Sequence, residues 1–178
     1  DVFIVDHDLK AILVKSDSDR HLREIKRFVE TAPMDRVRSI IYHQIKYNNS
    51  GNNVKTKEYL VSIAEKKMLF WESQQLVGSI ISKQKTPNPT LVRTLLRTCR
   101  KQGNYHYAEQ LLTIDKNLIE NSDFNIQYEL VYYFNSIDNS ELLDRTLKRM
   151  RRSAERSIPI ARTLYNFYLT FERFEDAQ

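Results

Sequence analysis

Residues 85–112 read KTPNPTLVRTLLRTCRKQGNYHYAEQLL. Pro87 and Pro89 punctuate the entry, and Thr90 is placed to cap a first helical turn. Leu91, Val92, Leu95, Leu96 and Cys99 then recur at helical spacing as one apolar stripe, with Arg93, Arg97 and Arg100 on another face. Gly103-Asn104 ends that helix, because glycine takes the left-handed conformation at little cost. A second helix is predicted to follow, with Tyr105, Ala108, Leu111, Leu112 and Ile114 facing inward. The small side chain of Ala108 lets the two helices approach closely.

The same plan returns along the chain. In windows 19–53, 54–88, 89–123, 124–157 and 158–178 the seventh residue is Ile25, Leu60, Leu95, Leu130 and Leu164. The eleventh is Val29, Ala64, Cys99, Phe134 and Tyr168, and complete windows close on Asn53, Asn88, Asp123 and Ser157. A fixed period of about 35 residues marks stacked two-helix units, none of which buries its apolar face alone. Window 54–88 offers KEYLVSIAEKK and LFWESQQLVGSIIS around a Lys-Lys-Met bend; Phe70 and Trp71 are expected to pack. Window 124–157 offers NIQYELVYYFNS, a turn and cap at Asp138-Asn139-Ser140, then the basic-ended ELLDRTLKRMRR. Window 19–53 bends at Pro33 and ends in the polar YNNSGNN. The predicted fold is all-α, a right-handed α-solenoid of helix-turn-helix repeats over 19–178. Residues 1–18 are either an N-terminal arm or the remnant of a preceding repeat.

Composition limits the chemistry. The 178 residues include only 3 Gly and 4 Pro, and no apolar run is long enough for a membrane span. The single cysteine, Cys99, excludes an internal disulfide framework and sits at a core position. A formal net charge of +5 permits a polyanionic partner without demanding one. His7, His21, His43 and His106 lack metal-ligand spacing, and no glycine-rich phosphate loop, paired-carboxylate motif or nucleophile elbow is present. The expectation is a protein without catalysis, metal or cofactor. The opening DVFIVDHDLKAILV is too acidic for an organellar presequence, and FERFEDAQ stops inside a helical pattern. Both suggest an internal stretch of a longer protein.

The proline-polar ending, the Gly-Asn turn and the alanine five residues after the glycine in 85–112 make the chain resemble a pentatricopeptide repeat protein, of an organellar type with degenerate repeats. The tryptophan, leucine-glycine and tyrosine pattern of tetratricopeptide first helices is missing. The resemblance implies binding of single-stranded RNA in the mitochondrial matrix, where such proteins protect, process or help translate transcripts. Ribosomal or RNA-processing proteins are further implied partners.

In that family the fifth and last residues of each repeat meet a base, because unstacked RNA exposes base edges to a modular array. Here the pairs are Arg23 with Asn53, Glu58 with Asn88, Arg93 with Asp123 and Tyr128 with Ser157, while Arg162 lacks a partner. The last positions fit the family. The fifth positions depart from its Thr, Ser or Asn, so charge and stacking replace a base-reading code. Arg23 with Arg27, Arg93 with Arg97, and Tyr128 with Tyr132 then form the expected RNA surface, joined by Lys101 at position thirteen. Each has a plainer use: the arginines as solvated surface, the tyrosines as cover for core, and Asn53, Asn88 and Asp123 as helix caps. The alternative function is a tetratricopeptide-like protein-interaction scaffold, which calls for an apolar groove or for charge on second helices such as Lys148 to Arg152.

Overall fold

The computed structural model describes residues 19–47, 54–84, 88–112, 116–173 and 176, and among these residues it is helical without strands. In chain order the helices are α1 (Asp19–Thr31), α2 (Met34–Tyr47), α3 (Val54–Lys66), α4 (Phe70–Ile81) and α5 (Pro89–Gln102). They continue as α6 (His106–Leu111), α7 (Lys116–Asn121), α8 (Phe124–Ser136), α9 (Ser140–Ala154) and α10 (Ile158–Thr170). The all-α class follows the 3.6-residue periodicity of the apolar positions. The seventh and eleventh residues of all five windows are buried, so the period read from the sequence is the register of the core.

Backbone geometry repeats with the same register. Met68, Gly103, Asp138 and Glu172 have positive φ, at 59°, 67°, 53° and 57°, and each is the fifteenth residue of its window. At each of them the following residue's N–H donates to the carbonyl of the eleventh residue. These bonds are Leu69 to Ala64 (2.8 Å), Asn104 to Cys99 (3.1 Å), Asn139 to Phe134 (2.9 Å) and Arg173 to Tyr168 (2.8 Å). This is the left-handed helix stop that satisfies otherwise orphaned carbonyls. In the first window the fifteenth residue is Pro33, whose ring locks φ negative. There the link from α1 to α2 uses Pro33 itself, with its carbonyl accepting from Arg36 and Val37 N–H.

The helices gather into two compact units that divide between residues 87 and 88. In the first, α1 packs on α3, α2 on α4, and α3 along α4, around Ile25, Ile40, Leu60, Ala64, Leu76 and Val77. In the second, α5 packs on α8, α7 on α9, and α9 on both α8 and α10, around Leu95, Leu96, Ile119, Leu130, Phe134 and Met150. Within each unit, first helices therefore meet first helices and second helices meet second helices.

Three expectations need correction. The N-cap of α5 is Asn88 and not Thr90: Thr90 N–H donates to Asn88 Oδ1 at 2.9 Å. An acceptor one residue before the helix reaches the first free N–H groups, whereas Thr90 is already inside the turn. The second helix of window 89–123 is divided, since α6 stops at Leu111, Leu112 turns extended and helix resumes at Lys116. Leu112 still reaches the core, while Ile114 lies outside the described residues. Trp71 is not a packing residue: it is 52% exposed on α4. YNNSGNN and residues 1–18 also lie outside the described residues, apart from Tyr47, the last residue of α2.

Candidate nucleic-acid interface

The second unit brings several of the expected residues to one place. On α5, Arg93, Arg97, Arg100 and Lys101 fall on successive turns of one face. On α8, Phe124, Asn125, Tyr128 and Glu129 form the facing stripe, and the two stripes line a hollow of about 380 Å³. Arg93 and Lys101 form no ion pair among the described residues. A concave surface with this many guanidinium and ammonium groups is electropositive, and planar guanidinium forks match phosphate oxygens.

Arg100 has a different task from its neighbours. Its Nε donates to Glu129 Oε2 at 2.8 Å and its Nη2 to Glu129 Oε1 at 3.1 Å. Glu129 is almost wholly buried, so a paired cation is what permits its charge there. The guanidinium also lies 4.9 Å from the Tyr132 ring centroid and 5.4 Å from that of Tyr128. The hydrogen bond to Glu129 pushes the Arg100 pKa up, and burial works against it. Arg100 thus ties α5 to α8 and lines the hollow together with Arg93, Arg97 and Lys101.

Tyr128 and Tyr132 enter an aromatic cluster. Their ring centroids are 5.3 Å apart, edge to face, and Phe167 of α10 lies 5.2 Å from each. Phe171 lies 6.1 Å from Tyr132 and stacks on Phe167. Such edge-on packing suits the ring quadrupoles. Burial, followed by the hydrogen bond with Tyr128, pushes the Tyr132 hydroxyl up to about 12. The Tyr132 ring is therefore enclosed by Arg100, Tyr128 and Phe167. Tyr128 keeps an edge in the hollow.

The remaining candidates are not among the residues that line this hollow. Arg23 and Arg27 are exposed on α1 and Glu58 is exposed on α3, all in the first unit. Asn88 and Asp123 begin α5 and α8 as N-caps, and Asp123 Oδ1 accepts from Ile126 N–H at 2.9 Å. Ser157 precedes α10 without a side-chain capping bond, Arg162 is exposed on that helix, and Asn53 lies outside the described residues. Glu129 was not among the sequence candidates. The one signal for it is its opposite charge to Arg100, 29 residues earlier, and that signal has meaning only once α5 is known to pack on α8.

Compared with known proteins, the chain matches no family model, no curated protein and no solved structure. Among the described residues no helix is long and apolar enough to cross a membrane.

Proposed function

We propose that the chain is a pentatricopeptide-like RNA-binding segment that holds single-stranded RNA by its phosphates, in a mitochondrial protein that protects, processes or helps translate transcripts. The observation that carries this is the hollow lined by Arg93, Arg97 and Lys101 beside the Arg100–Glu129 pair. The side-chain oxygens of Asn88 and Asp123 are held by backbone N–H groups, which favours contact with the RNA backbone over reading of base edges. The right-handed solenoid belongs to the same proposal. It is supported by the pairing of first with first and second with second helices inside each unit. No reaction is assigned to the segment. An interaction-scaffold role is favoured by a separate observation, an apolar groove between α2 and α4.

The test is binding of a random single-stranded RNA pool across a salt series. Affinity should fall steeply with salt. Replacing Arg93 and Arg97 together by alanine should flatten the logarithmic salt slope by about 1.4, the release expected for two phosphate contacts on a single strand. Replacing Arg151 and Arg152, exposed on α9, should change it less. Absence of salt-dependent binding even at low salt would refute the proposal, and the reverse ranking would put the RNA on the α9 face.

A further inference from the structure

In the first unit α2 and α4 lie side by side and enclose an apolar groove of about 210 Å³. Tyr42 and Ile45 line it from α2 and Trp71 from α4, with Trp71 52% and Tyr42 44% exposed. Large aromatic groups left this open cost hydration free energy, and they are the side chains most often found as binding anchors. The polar rim is ordered. Arg38 Nε sits 3.0 Å from Glu72 Oε1, so one ion pair ties the two helices together and cancels its own charge. Asp35 is the remaining charged group on the groove, and its carboxylate forms no ion pair among the described residues. In a chain with a net charge of +5, the groove is thus locally negative beside two aromatic faces.

That pairing of surfaces selects a ligand. An alkyl cation gains from aromatic faces and from a carboxylate at once, whereas a phosphate chain meets repulsion at Asp35. The volume suits one long side chain. We infer that this groove captures a lysine or arginine side chain of a partner polypeptide, with its aliphatic stem along Trp71 and Ile45 and its cation beside Tyr42 and Asp35. The inference rests on the interaction role of the first unit and is independent of the RNA hollow in the second.

Trp71 is the chain's single tryptophan, so its fluorescence reports the groove directly. The full chain would be titrated with the peptide acetyl-Leu-Lys-Lys-Leu-amide, with its counterpart carrying glutamate in place of lysine, and with the random RNA pool. The basic peptide should give a saturable change and the acidic peptide and RNA none. Asp35→Asn should weaken the basic peptide about tenfold, equivalent to about 1.4 kcal/mol, with the circular dichroism unchanged. The variant lacking Arg93 and Arg97 should bind the peptide as the parent does, even if its RNA binding is lost. Equal response to both peptides, no response to the basic one, saturable quenching by RNA, or indifference to Asp35→Asn would each overturn the inference.

Discussion

Lys57 stands at the fourth position of its window, where the next two windows bury Val92 and Gln127. It is 4% exposed, and its ammonium donates to Ser79 Oγ at 3.0 Å without a carboxylate beside it among the described contacts. Burial, and then the nearby Lys83, pull its pKa below the ordinary lysine value. A cation held this way costs stability, because a neutral hydroxyl replaces only part of its lost hydration. Ser79 keeps its own bond to the Leu76 carbonyl whatever occupies position 57. Lys57→Met should therefore raise stability by on the order of 1 kcal/mol, read as a higher urea midpoint. A lower midpoint would show that the Lys57–Ser79 bond outweighs the burial of charge.

At the scale of the helix pair, the shared feature is the left-handed fifteenth residue. Gly103 occupies it without strain, and a Cβ placed there meets nothing within 4 Å. Gly103→Ala should accordingly cost about 1 kcal/mol, from backbone conformation alone. Met68 holds the same geometry with a side chain, so Met68→Gly should gain about 0.5 kcal/mol after the glycine's greater unfolded-state freedom is counted. Thermal melts of the two variants should move in opposite directions. Shifts of the same sign would mean that contacts, rather than φ, decide the turn. The sequence reveals this turn plainly at Gly103 and Asp138-Asn139. At Met68 it places the bend, in Lys-Lys-Met, but not the left-handed backbone, and at Glu172 it shows neither, because methionine and glutamate have no local preference for positive φ.

Across the whole molecule, the tyrosines set the alkaline limit. Burial raises the pKa of Tyr59, Tyr105, Tyr107, Tyr132, Tyr133 and Tyr168, with Tyr132 reaching about 12. A phenol whose folded pKa is raised contributes stability that is complete below the unfolded value near 10. That contribution is lost as pH climbs through the folded value. Lys57 acts in the opposite sense, since its penalty is relieved as pH rises toward 10.5, but it is one group against six. Helicity should therefore hold to about pH 10 and fall between about 10 and 12, together with the rise of tyrosinate absorbance. Tyr132→Phe should blunt the upper part of that loss. Unfolding that precedes tyrosinate formation would place the cause elsewhere.

The sequence by itself determined most of the helices, though not the break between α6 and α7, together with the cap at Asn139 and the ten core positions seven and eleven. These depend on periodicity and on preferences within a few residues. It also placed Arg93, Arg97 and Lys101 together, since residues on successive turns of one helix share a face. Tertiary structure alone decided what lies across from them. Glu129 pairs with Arg100 and Phe167 closes over Tyr132 only because α8 packs on α5 and Phe167 of α10 reaches α8. Trp71 shows the same division: an aromatic residue in a helix reads as core until its neighbours are known. Hydrophobicity states a preference for burial, and which side chains obtain it depends on how much covering surface the neighbouring helices supply.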